Sequence, residues 1–122
     1  MKDLEYGTIS TKRLAEFLKA MANPVRLRIL EELLRNPRCV TAIHEILGAK
    51  QPNISQHLSV LKNSGLILAE RDGPYRCYYL RWPGLVKAVL EALSADWPET
   101  GIEEARSSFS KALKNRLDGI GS

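Results

Sequence analysis

A chain of 122 residues with a formal net charge of +4 falls in the size range of one domain, and should bury about two thirds of its unfolded surface around one core. Apolar residues at 44% and charged residues at 26% are ordinary for a soluble protein. No apolar run approaches the roughly 20 residues of a bilayer-spanning helix, so no membrane partner is expected. Asp3 and Glu5 stand where a signal peptide would be basic and then apolar, and two cysteines, Cys39 and Cys77, are too few for a secreted disulfide scaffold. Both features predict a cytoplasmic protein.

Leu14, Phe17, Leu18 and Met21 follow the i, i+3, i+4, i+7 spacing of one buried stripe and predict a first helix capped by Ser10 or Thr11. Asn23-Pro24 opens a second, with proline at the first helical position. Val25, Leu27, Ile29, Leu30, Leu33 and Leu34 cover over half its circumference, which makes it the central helix. Asn36-Pro37 ends it, and Arg38-Cys39-Val40 reads as a short extended piece. Thr41 should cap a short third helix facing inward through Ile43, Ile46 and Leu47 and stopped by Gly48. Gln51-Pro52 begins a fourth, with Ile54, Leu58 and Leu61 along one side, running from Gln51 to Ser64 and closed by Gly65.

Leu66 to Arg71 and Tyr75 to Leu80 are β-prone runs around Asp72-Gly73, a hairpin turn signal. Pro83 starts a helix carrying Leu85, Val86, Val89, Leu90 and Leu93, and Trp97 to Gly101 breaks the chain before a last helix from Ile102 to about Leu117. The fold class is mainly α with a small β-hairpin, a winged helix-turn-helix. Residues 1–96 are expected to form the winged helix-turn-helix domain, and residues 97–122 a linker and a helix packing on it.

The function lies in the fourth helix. With Ile54, Leu58 and Leu61 buried, it presents Gln56, Ser59 and Asn63, flanked by Asn53, Ser55, His57 and Lys62. No acid occurs from Ala49 through Ala69, while Lys50, Lys62, Arg71 and Arg76 border the stretch. Amides bond adenine bidentately in the major groove, hydroxyls bond bases or phosphates, and lysines and arginines neutralise phosphate. Lys50, Gln51, Asn53, Ser55, Gln56, His57, Ser59, Lys62, Arg71 and Arg76 are therefore the candidate DNA-binding residues. A merely solvated helix face is the alternative, and such a face usually carries acids as well. Arg26 falls on the apolar arc of the second helix, either as a snorkelling or ion-paired residue or as a phosphate contact or link between helices.

Met21-Ala22-Asn23-Pro24-Val25-Arg26-Leu27-Arg28-Ile29-Leu30, Val40 to Leu47, and Gln51-Pro52-Asn53-Ile54-Ser55-Gln56-His57-Leu58-Ser59-Val60-Leu61-Lys62-Asn63-Ser64-Gly65-Leu66-Ile67 together resemble the ArsR/SmtB family of bacterial repressors, over roughly residues 12–95. The resemblance implies a homodimer formed by the first helix and the helix after the wing. It also implies recognition helices in successive major grooves of a near-palindromic double-stranded operator, and release by an inducer. His57 matches the family's recognition-helix histidine and is assigned to DNA contact or local packing; His44, beside Glu45, reads as solvated.

Family members sense metals through Cys, His and carboxylate clusters, but residues 83–96 contain neither His nor Cys, and their acids are Glu91 and Asp96. The arsenic-type Cys-x-Cys is half present: Cys39 matches its first cysteine and Thr41 replaces the second. The metal ligands are thus unknown. If the extended piece pairs with the returning wing strand, Cys39 and Cys77 become neighbours on the outer side of the sheet, with Arg38 and Arg76 favouring thiolate. Such a pair would sense oxidants, reactive sulfur or a thiophilic metal or metalloid such as arsenite; two unrelated small apolar thiols are the alternative. No cofactor is required. The rival regulator has no thiol sensing and responds to a small molecule or acts through protein contact. No glycine-rich phosphate loop, nucleophile elbow or His-Glu-x-x-His occurs, so no enzyme is expected.

Overall fold

A computed structural model of the chain describes residues 9–48, 52–97 and 101–120, and for Cys39 and Ile120 the backbone alone. The order is α1 (Thr11–Met21), α2 (Pro24–Arg35), β1 (Arg38–Cys39), α3 (Val40–Leu47), α4 (Ile54–Ser64), β2 (Ile67–Asp72), β3 (Tyr75–Leu80), α5 (Pro83–Ser94) and α6 (Gly101–Ile120). The chain divides into two units, one through Leu90 and one from Glu91.

In the first unit, α1 is capped by Ser10, whose Oγ accepts from the Arg13 amide at 3.2 Å. Asn23 caps α2 more fully, its Oδ1 accepting from the amides of Val25 and Arg26 at 2.9 and 3.2 Å, with Pro24 at the first helical position. Ile29 and Leu30 of α2 are completely buried, as the wide apolar arc predicts, among Phe17, Ile43, Leu58, Leu61, Leu66 and Ile67. The sheet has the order β1-β3-β2, all antiparallel, with β3 in the centre. Along β3 the inner positions Tyr78 and Leu80 are buried and close the core.

Several local expectations are corrected. Val40 already belongs to α3, so Thr41 lies inside that helix rather than capping it, and the extended piece ends at Cys39. Ile46 is exposed, because Ile43 and Leu47, one turn apart, occupy the whole inward side of so short a helix. Leu18 is 53% exposed: the buried arc of α1 is centred on Phe17, Ala20 and Met21, and Leu18 lies outside it. The second strand begins at Ile67 rather than Leu66. Asp72 pairs with Tyr75, leaving Gly73-Pro74 as the two-residue loop. Gly73, at φ +62°, takes the first central position of a hairpin turn that only glycine fills without cost, and Pro74 the second.

In the second unit, α6 leaves Ile102, Phe109, Leu113 and Leu117 exposed. Among the described residues no helix is long and apolar enough to cross a membrane.

Candidate nucleic-acid interface

α4 starts at Ile54, later than the expected Gln51, so Pro52 is not its first residue. Asn53 precedes it in the left-handed conformation, φ +63°, and makes no side-chain cap. Asparagine tolerates that conformation better than most residues, which turns the chain sharply into the helix. Gly65 ends α4 at φ +87°, its amide returning to the carbonyls of Leu61 and Lys62. Between these two turns Ile54, Leu58 and Leu61 are each no more than 1% exposed and hold the helix to the core. The spacing forces the rest outward: Asn53, Ser55, Gln56, Ser59, Lys62 and Asn63 are exposed. Lys50 and Gln51 lie outside the described residues.

His57 differs from its neighbours. It is half-buried, and the Arg26 guanidinium reaches it from α2, Nη1 to Nδ1 at 3.3 Å. Arginine can only donate, so Nδ1 accepts and the imidazole proton sits on Nε2. Burial, and then the charge of Arg26, lower the His57 pKa below 6.5. Arg26 also donates through Nε to the Ala20 carbonyl at 2.5 Å and through Nη2 to the Lys19 carbonyl at 3.4 Å, where the carbonyl end of α1 favours a cation. One side chain thus ties the end of α1 to α4, and of the readings open from sequence Arg26 takes the link between helices. Arg26, Ser55, Gln56, His57, Ser59 and Val60 line a concavity of about 510 Å³.

On the wing, Arg71 and Arg76 are exposed and directly opposite one another in the β2–β3 register. Like charges so placed repel and destabilise the hairpin. Arg76 lies over the Tyr78 ring at 5.8 Å.

Cys39 and Cys77 are directly opposed in the β1–β3 backbone register. Directly opposed antiparallel positions have Cα atoms about 4.5 to 5.5 Å apart, within the span a disulfide bridges. Cys77, half-buried, shares its side of β3 with Tyr79, and its partner on β2 is Glu70, which accepts from the Tyr79 hydroxyl at 2.8 Å and raises the Tyr79 pKa. Consecutive strand residues point to opposite faces, so Arg76, which lies over the Tyr78 ring, is on the other face of β3 from Cys77. Among the described residues no three of His, Cys, Asp and Glu converge as a metal site.

A short helix, a turn, an outward-facing polar helix and a hairpin wing on a three-stranded sheet define the class: a winged helix-turn-helix protein. The chain belongs to the ArsR family of bacterial transcriptional regulators, whose regulatory-protein model matches residues 23–68. It is 39% identical over 79 residues to the transcriptional repressor SmtB of Mycobacterium tuberculosis, a match covering 65% of this chain and 58% of that one. It is 38% identical over 84 residues to the probable mercury resistance operon repressor of Streptomyces lividans, covering 67% of each. Among solved structures NolR from Sinorhizobium fredii superposes with a TM-score of 0.60 at 35% identity, covering 73% of this chain and 94% of that one. These relatives are regulators, not enzymes.

Proposed function

We propose that the chain is a sequence-specific DNA-binding repressor, acting in the cytoplasm as a homodimer on a near-palindromic operator that includes its own promoter. The observation that carries this reading is the acid-free exposed face of α4. Gln56, Ser55, Ser59 and Asn53 supply the donors and acceptors for base edges, and Lys62 with Lys50 and Gln51 just before the helix supplies the backbone contacts. Arg71 and Arg76 support it from the wing: an opposed cationic pair is a liability in a free hairpin and an asset beside phosphates. The exposed apolar residues Leu18 of α1 and Leu93 of α5 support a subunit contact through those helices, and residues 97–122 serve the same domain. The test is binding to a duplex selected from a random pool. Gln56→Ala and Ser55→Ala should each weaken binding at least ten-fold with the fold intact, and unchanged binding refutes the assigned face.

Cys39 and Cys77 are the inducer-sensing pair. Their opposed backbone positions and a relative named for resistance to mercury, a thiophilic metal, support this role. Oxidation would join the two sulfurs, delivering two protons and two electrons to the oxidant, and arsenite would form an As–S bond to each thiol as two As–O bonds break and two waters leave. Either event pulls β1 toward the wing strand and shifts the wing relative to α4. DNA binding by the wild type, Cys39→Ser and Cys77→Ser with and without arsenite, zinc and a persulfide donor tests this. The wild type alone should release DNA, and identical responses from all three proteins exclude the thiol pair.

A further inference from the structure

Away from the reading face, a cleft of about 680 Å³ opens beside α1 and the start of α5, lined chiefly by Ile9, Arg13, Phe17, Arg81, Trp82 and Leu85. Its walls are two aromatic rings, Phe17 and Trp82, meeting edge to face with centroids 5.5 Å apart and planes at 71°. Each ring carries a guanidinium: Arg13 Cζ lies 4.5 Å from the Phe17 centroid and Arg81 Cζ 4.5 Å from that of Trp82. Both cations converge on Gly65. A β-carbon there would lie 2.7 Å from Arg13 Nη2 and 3.9 Å from Arg81 Nη1, so the two guanidiniums are near neighbours. Glu16 accepts from Arg13 Nη1 at 3.3 Å, but among the described residues no carboxylate pairs with Arg81.

Two neighbouring guanidiniums, of which only that of Arg13 has a carboxylate partner among the described residues, leave positive charge at the head of an apolar notch. A carboxylate matches the planar fork of a guanidinium with two parallel hydrogen bonds, and the aromatic walls suit a flat ring attached to it. The volume lies in the range of small-molecule pockets, and apolar walls with a few convergent polar groups are their usual make-up. We propose that this cleft binds a small aryl carboxylate, a second input to the regulator besides the thiols. The ligand's carboxylate bridges Arg13 and Arg81 while its ring lies in the angle between Phe17 and Trp82.

The site is wired to α4. Gly65 is the joint between the recognition helix and the wing, and the Arg81 amide donates to the Leu66 carbonyl at 3.0 Å. An anion that draws the two guanidiniums toward itself moves them off Gly65, and the angle between α4 and β2 changes with them. That consequence rests on the DNA-binding reading; the binding itself does not.

The test uses the full chain with Trp97→Phe, leaving Trp82 as the one indole. Trp82 fluorescence is titrated with phenylacetate, with phenylacetamide as the neutral match, and with inorganic phosphate as a bare anion. Saturable binding of phenylacetate at least ten-fold tighter than either control is expected. It should weaken ten-fold or more in Arg81→Gln and Arg13→Gln at unchanged circular dichroism, with Arg81→Lys between. An equal response to phenylacetamide would reduce the cleft to an apolar surface, and an equal response to phosphate to general anion attraction; no saturable response at all also overturns the site. Sedimentation of Arg81→Gln and Trp82→Leu covers the remaining occupant: a loss of self-association without phenylacetate binding makes the cleft a contact with a second copy. Should either arginine variant fail to fold, the acid-against-amide comparison on the parent still decides. Bound phenylacetate should weaken DNA binding by the parent and not by Arg81→Gln; binding without that effect removes the coupling through Gly65, and a parent that binds phenylacetate but no DNA refutes the repressor reading alone.

Discussion

Arg26 donates to two carbonyls at the end of α1 and to the imidazole of His57, so α4 is oriented by a residue outside it. The arrangement needs His57 neutral, because a protonated Nδ1 can no longer accept. Burial and the Arg26 charge both lower the His57 pKa, so the neutral form is the one the fold favours. The unfolded chain therefore binds this proton more readily: the contribution to stability is complete above pH 6.5 and is lost as pH falls through the lower folded value. An imidazole NMR titration should place the His57 midpoint below 6.5, and Arg26→Gln should move it upward. A midpoint unmoved by that substitution would show that Arg26 is not the partner. From the sequence Arg26 was visible only as a charge on an apolar arc. Its partners lie 6, 7 and 31 positions away, and no local pattern links them.

The helices and the wing were largely legible at the scale of elements, since Ile54, Leu58 and Leu61 repeat at helical spacing and Gly65 and Gly73 mark the turns. What the pattern missed is the start of α4. Pro52 reads as a first helical residue wherever a capping side chain precedes it, but the left-handed Asn53 turns the chain after the proline. The aromatic cleft was missed as well, because Phe17 and Trp82 meet only once α1 and α5 are in place. Gly65→Ala should destabilise the protein by about 1 to 2 kcal/mol, from the left-handed backbone and from displacement of Arg13, read as a lowered midpoint in urea. An unchanged midpoint would mean that neither constraint operates. Arg76→Thr tests the wing differently. Removing half of the opposed cationic pair should raise stability by about 0.2 to 1 kcal/mol while reducing the slope of log affinity against log salt by about one. A change in neither quantity would detach Arg76 from both roles.

For the whole molecule, the charge of +4 said less than its distribution, because the region from α4 to the start of the wing lacks acids and much of the acidic charge lies elsewhere. Leu18, at 53% exposure, is a large apolar residue left outside the core of its own unit. Its burial in the proposed homodimer predicts that Leu18→Glu sediments as a monomer with unchanged helix content and binds operator at least ten-fold more weakly. A dimer that persists would move the subunit contact away from α1. The opposition of Cys39 to Cys77 follows from pairing the extended piece with the returning wing strand and was open to sequence reading, whereas the convergence of Arg13 and Arg81 on Gly65 is a product of packing that no local pattern shows.

The central claim is that the outward face of α4 reads base sequence, and the most direct test is selectivity rather than affinity. Binding to a duplex selected by the wild type and to a scrambled duplex of the same composition should be measured at one salt concentration, then across several. The wild type should prefer the selected duplex by about 10³-fold or more, and Gln56→Ala should cut that preference at least ten-fold while leaving the salt dependence unchanged. A Gln56→Ala protein that keeps the full preference would contradict the assignment of α4 as the reading helix.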